Sequence, residues 1–137
     1  DRSNILTVNR KIFNSGVLDA FADIHGCCSI APMANFDATK VRYYHDKEYY
    51  RAHLDKSTQF LAFTYFHKEP KKYEGGDLFF PDHDYEYKCD NNSLIVFPGW
   101  VRHGVNKVSI KDSDYFEGYG RYSITTFFGN VSEQDKA

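Results

Sequence analysis

Apolar residues keep helical spacing only near the start of the chain. Val17, Leu18, Phe21 and Ile24 fall on one face of a helix, which Ser15 is placed to cap and Gly26 to stop. From about residue 40 the pattern changes to short apolar or alternating runs punctuated by turn residues. The runs predict strands over 41–45 (VRYYH), 59–67 (QFLAFTYFH), 77–80 (DLFF), 85–89 (YEYKC), 94–97 (LIVF), 103–110 (HGVNKVSI) and 121–128 (RYSITTFF). Gly75-Gly76, Asn91-Asn92-Ser93 and Pro98-Gly99 read as turns, and Pro81 ends its strand. Segments 45–52 and 67–74 read as loops beside a mouth. Segment 111–120 (KDSDYFEGYG) reads as a hairpin tip between the last two strands, and the polar tail beyond Gly129 is expected to fray. Many short strands with close spacing predict a sandwich, barrel or jelly roll. A parallel sheet would need helix-length crossovers, and the pattern contains none.

Composition agrees with this. Twelve Phe and eleven Tyr stand against one Met, and aromatic side chains favour pleated, half-buried surfaces. A length of 137 residues predicts a single domain, 1–137, large enough to bury a core without disulfides. A net charge of −2 gives no electrostatic footprint for nucleic acid or an anionic membrane. No run approaches the roughly 18 apolar residues of a membrane helix. The opening DRSNILTVNRK lacks the apolar centre of a signal peptide, and a start at Asp1 reads as a fragment or a processed form. Cys27, Cys28 and Cys89 are odd in number and two are adjacent, so they predict free thiols in a reducing, cytoplasmic setting rather than a disulfide framework.

Candidate chemistry begins with His53-Leu54-Asp55. On a strand, residues i and i+2 share a face, so an imidazole and a carboxylate can converge on one divalent metal ion. The signal is weak alone. Six histidines and nineteen acids give roughly one such pair by chance, and His67-Lys68-Glu69 is a second, read as a strand end. His103 opens a later strand, and a third ligand from there would complete a 2-His-1-carboxylate triad with open positions. Arg121 and Ser123 then share a strand face, a guanidinium beside a hydroxyl, which suits a carboxylate. Two alternatives stay open for that pair: an ion pair between Arg121 and Glu117, and Lys107 as the anion-binding cation.

The order His-x-Asp, His, Arg-x-Ser resembles the Fe(II)/2-oxoglutarate-dependent dioxygenases, and within them the prolyl 4-hydroxylase-like group. The resemblance covers about residues 41–129 and rests on VRYY, YYRAHLD, FTYFHK, YEGGDLFF, LIVFPGWVRHGV and GRYSITTFF. It implies a mainly β double-stranded β-helix (jelly roll), to which the apolar spacing adds only a short N-terminal helix. It implies Fe(II) held by His53, Asp55 and His103, and the distal carboxylate of 2-oxoglutarate held by Arg121. Ser123, Tyr65 and Tyr43 are implied to line the same pocket, with Trp100 and Thr125 as further candidates for its wall. The implied reaction hydroxylates a substrate C–H bond, possible targets including peptidyl proline, and consumes O2 and 2-oxoglutarate to give succinate and CO2. A peptide, protein or small molecule is the implied partner, and ascorbate is a compatible auxiliary. The stretch from His103 to Arg121 is longer than is common in that family. Two other readings are a cupin-type metalloenzyme without 2-oxoglutarate and a non-catalytic jelly-roll binding module. The first lacks the close His-x-His expected of it. The second would rest on Tyr43-Tyr44 and Tyr49-Tyr50.

Overall fold

A computed structural model describes residues 11–132 together with Asn4 and Thr7. The last five residues of the polar tail, 133–137, lie outside the described residues. Helix α1 runs over Ser15–Ile24, where the apolar spacing places it. Its cap is Asn14 rather than Ser15. The Asn14 side chain accepts a hydrogen bond from the Val17 amide at 3.1 Å, while Ser15 already has a helical place in the first turn. Gly26 is not a stop signal in the usual sense. The chain leaves the helix through extended His25, and Gly26 opens a 3-10 turn over Gly26–Cys28. Leu18 and Phe21 are the buried residues of α1, and they pack with Phe60, Ala62 and Phe128 on the outer face of a sheet; Ile24 is exposed.

Ten strands follow among the described residues: β1 Phe36–Tyr44, β2 Tyr50–His53, β3 Phe60–Phe66, β4 Tyr73–Gly75, β5 Leu78–Phe80, β6 Tyr85–Tyr87, β7 Ser93–Pro98, β8 His103–Val105, β9 Val108–Ile110 and β10 Arg121–Gly129. They form two four-stranded antiparallel sheets, ordered β1-β10-β3-β7 and β2-β8-β5-β6, with β4 and β9 as a separate pair. The fold is mainly β, a jelly roll, as the sequence predicts. Leu61, Phe63, Tyr65, Leu78, Phe80, Phe97 and Val105 form the core shared by the two sheets. Apolar burial of this kind contributes about 1.5–3 kcal/mol per large side chain.

Three differences from the sequence reading bear on the site. Residues 50–52, read as loop, belong with His53 to strand β2, which pairs with β8 and has an irregular register between Tyr50 and His53. The 103–110 strand is two strands, broken at Asn106-Lys107 because β8 pairs in one sheet and β9 pairs with β4. Segment 111–120 is no hairpin tip: β9 and β10 never pair, and the segment carries the chain between sheets. Alternation alone cannot reveal a strand's partner, so all three escape a local reading. No helix among the described residues is long and apolar enough to cross a membrane.

Candidate functional site

Strand pairing builds the first part of the site. In the β2–β8 register His53 stands directly opposite His103, and their ring centroids are 4.4 Å apart. Asp55 lies just past the end of β2. Its Oδ2 is 3.5 Å from His53 Nε2 and 3.2 Å from His103 Nε2. All three ligand atoms lie within 4.8 Å of one another, and no other such group of His, Cys, Asp or Glu occurs among the described residues. Each imidazole is oriented from behind: His53 Nδ1 is 2.8 Å from the Arg51 carbonyl and His103 Nδ1 is 2.8 Å from the Val101 carbonyl. With Nδ1–H donated to a carbonyl, the Nε2 lone pair faces the common point, which is the state a metal ligand needs. Burial also pushes the His103 pKa down, which favours its neutral form.

Asp55 is fixed by backbone. Its amide donates to the Gly99 carbonyl at 2.8 Å, and its carbonyl accepts from Thr58 at 3.0 Å. A Cβ on Gly99 would sit 2.3 Å from the Thr58 carbonyl oxygen and 2.6 Å from that of Asp55. The Pro-Gly turn therefore lets the Asp55 loop lie flat against the end of β7. Trp100, on the same turn, is 58% exposed and takes no part in the cavity wall, because the turn points it outward.

The ligand triad opens on a cavity of about 450 Å³ between the sheets. Arg121, the first residue of β10, closes one end and is 2% exposed. Its guanidinium carbon lies 5.0 Å from the Tyr44 ring and 4.7 Å from the Tyr65 ring. No carboxylate among the described residues pairs with it, so the Glu117 ion pair does not form, and its Nε is buried with no hydrogen-bond partner. The Tyr65 hydroxyl and Thr125 Oγ1 are likewise buried and unsatisfied. The β10–β3 register sets Ser123 opposite Tyr65 and Thr125 opposite Phe63, so these polar groups share one face with Arg121. Burial raises the Tyr65 pKa well above the ordinary phenol range despite the neighbouring guanidinium, so the hydroxyl stays a donor. Unsatisfied buried polar atoms each cost about 1–3 kcal/mol unless something pairs with them. A guanidinium and a neighbouring phenol left in this state at the end of a cavity fit a carboxylate.

The remaining predicted residues separate cleanly. Ser123 lines the cavity and is buried. Tyr43 does not line it. Strand β1 alternates, Tyr44 stands opposite Arg121, and Tyr43 stands opposite Tyr122 on the outer face. There its ring is 4.7 Å from that of Tyr122, and its hydroxyl accepts from the Gly120 amide at 3.0 Å. Tyr44 is the inward tyrosine; two adjacent tyrosines differ only by register, which local sequence leaves ambiguous. Lys107 is exposed and reaches the Tyr49 ring instead of the cavity. His67 and Glu69 stand 3.8 Å apart, away from the triad.

Cys89 and Gly76 are functional neighbours that motif reading missed. Cys89 is buried, with Sγ 4.0 Å from Arg121 Nη2, and a Cβ added at Gly76 would sit 2.8 Å from Arg121 Cδ. The Gly-Gly pair did signal a turn, and Gly76 has a left-handed φ of 71°, but its purpose is room for the arginine.

Comparison with known proteins gives a consistent result. The sequence model of the 2OG-Fe(II) oxygenase superfamily matches residues 39–129. A PKHD-type hydroxylase of Crocosphaera subtropica is 33% identical over 75 residues, which is 47% of this chain and 34% of that protein. The chain thus spans about a third of the length of this curated relative. Among solved structures, a Pseudomonas putida prolyl-4-hydroxylase superposes with a TM-score of 0.59 at 20% identity, covering 86% of this chain and 64% of that one. A 2OG-Fe(II) oxygenase family oxidoreductase from Burkholderia pseudomallei does so with a TM-score of 0.65 at 12% identity, covering 96% and 58%. At these identities the structural likeness concerns the fold.

Proposed function

The chain belongs to the 2OG-Fe(II) oxygenase superfamily, and from that premise we propose that it hydroxylates a C–H bond of a peptide substrate, peptidyl proline first. The observation that carries this reading is the buried, unpaired Arg121 at one end of a cavity whose wall holds the His53, Asp55 and His103 ligand atoms. Family membership and that arginine favour it over a cupin-type enzyme or a binding module. The hydroxylase relative and the prolyl-4-hydroxylase of similar fold supply the choice of reaction and target.

His53, Asp55 and His103 would hold Fe(II) at the wall of the cavity. Bound there with 2-oxoglutarate, the metal would supply the oxidising chemistry by which O2, 2-oxoglutarate and the substrate C–H bond give the hydroxylated substrate, succinate and CO2. The chain's own residues bind and orient. Arg121 offers a planar two-pronged donor to the distal carboxylate of 2-oxoglutarate, flanked by the Tyr44 and Tyr65 rings. The Tyr65 hydroxyl and Ser123 add neutral donors beside it. Phe63 and Leu78 line the cavity with apolar surface, which keeps water from the reacting centre. No side chain need act as a general base, because the groups around the triad are ligands, donors and hydrocarbon.

The test is succinate release from 2-oxoglutarate with Fe(II) and a proline-rich peptide, with the peptide product read for a gain of one oxygen. His53→Ala is expected to abolish both signals, and full coupled turnover in that variant would overturn the metal assignment.

A further inference from the structure

The inner face of β1 carries a feature that neither the metal nor the co-substrate uses. Alternate residues Lys40, Arg42 and Tyr44 all line the cavity. Tyr44 belongs to the arginine end. Arg42, half-buried, stands opposite Ser123, and Lys40, exposed at the rim, stands opposite Thr125. The Arg42 guanidinium carbon is 5.7 Å from the Tyr50 ring centroid, and that ring is 4.5 Å from the ring of the ligand His53. Lys40 Nζ lies 5.5 Å from the Phe127 ring. Each cation thus lies over an aromatic ring, Arg42 half-buried on the cavity wall and Lys40 exposed at its rim. Neither forms a salt bridge with a carboxylate among the described residues. The one carboxylate of the wall is Asp55, committed to the triad. Arg121, at the closed end, is a separate cation whose neighbours are Tyr44, Tyr65 and Cys89.

A cleft lined by one sign of charge concentrates ligands of the other sign, and a guanidinium with free donors favours a carboxylate partner. We infer that Lys40 and Arg42 select a substrate that carries carboxylate groups close to the reacting carbon, namely an acidic peptide in which Asp or Glu flanks the hydroxylated residue. The inference rests on the proposed peptide hydroxylation and adds to it the charge of the substrate. The aromatic rings under both cations limit their freedom before binding, so little further ordering is needed to meet an anion.

The test uses two peptides of equal size, acetyl-Ala-Glu-Pro-Glu-Ala-amide and its Gln counterpart. Binding is measured by calorimetry on the chain loaded with Zn(II) and 2-oxoglutarate, and peptide-stimulated succinate release is measured with Fe(II). The acidic peptide is expected to bind at least about tenfold more tightly at low ionic strength. The Lys40→Gln/Arg42→Gln double variant is expected to reduce that ratio to below about twofold by weakening the acidic peptide. Lys107→Gln, which removes a cation outside the cavity, is expected to keep the ratio. Equal binding of the two peptides, binding of neither, or an unchanged ratio in the double variant would overturn the inference. So would a rise in the 2-oxoglutarate requirement of Arg42→Gln as large as that of Arg121→Ala, which would make Arg42 a co-substrate anchor. Loss of 2-oxoglutarate binding and turnover in the unaltered chain would instead count against the proposed function, so the two failures are distinguishable.

Discussion

Arg121 shows how much one side chain decides. It is a buried cation with no paired carboxylate, clamped between two tyrosine rings, and one of its nitrogens has no partner. Such a group is costly in an apolar core unless a ligand satisfies it. Arg121→Ala is therefore expected to raise the 2-oxoglutarate requirement at least about tenfold. Metal uptake, measured by equilibrium dialysis, should persist, because the triad lies on the other sheet. Tyr65→Phe removes one donor and should cost about 1 kcal/mol of co-substrate binding, seen as a roughly fivefold weaker titration. The two neighbouring tyrosines give a sharper contrast. Tyr44→Ala should weaken 2-oxoglutarate binding, whereas Tyr43→Ala should leave it in place and lower thermal stability through the lost packing on Tyr122. If Tyr43→Ala alone weakened the co-substrate, the β1 register that turns Tyr44 inward would be wrong.

At the scale of elements, turns and caps hold the site residues in position. Gly76 adopts a left-handed backbone and leaves room for the Arg121 side chain, so Gly76→Ala is expected to lose co-substrate affinity as well as stability. Asn14→Ala should destabilise α1 by about 1 kcal/mol without touching turnover, since α1 packs on the outer face of its sheet. The connection after β1 is tied down by Asp46, whose carboxylate accepts from the Ile110 amide at 2.8 Å and from the Tyr115 hydroxyl. The Tyr115 hydrogen bond, followed by that of Ile110, holds the Asp46 pKa below its ordinary value. A carboxyl with a lowered folded-state pKa stabilises above its unfolded pKa of 3.8, and that contribution is lost as pH falls through the lower folded value. Melting curves of Asp46→Asn should thus lie below those of the unaltered chain near neutral pH and converge with them in acid. Curves that ran parallel at every pH would remove Asp46 from this role.

For the whole molecule, the two sheets each bring half of the candidate site: β2, the loop just past it and β8 present His53, Asp55 and His103, and β10, β3 and β1 present Arg121 with its tyrosine neighbours and the two further cations. Metal and co-substrate together should couple to global stability. At a roughly hundredfold excess over its dissociation constant, a ligand stabilises the folded state by about 2.7 kcal/mol, so the melting temperature should rise on loading and fall back with a chelator. The jelly roll was legible from short runs of alternating residues, and the ligand triad from its spacing together with the motifs around it, because both are written in local chemistry. His53-x-Asp55 already put two of the three clustered side chains near one point, and the aromatic runs already specified a sheet core. Local chemistry leaves open which strand meets which. Alternation has a period of two and says nothing about partner or register, so Tyr43 and Tyr44 read alike, β8 and β9 read as one strand, and the 111–120 segment reads as a hairpin. Only tertiary pairing set His53 against His103, turned Tyr44 rather than Tyr43 toward Arg121, and placed Lys40 and Arg42 on the wall of the cavity.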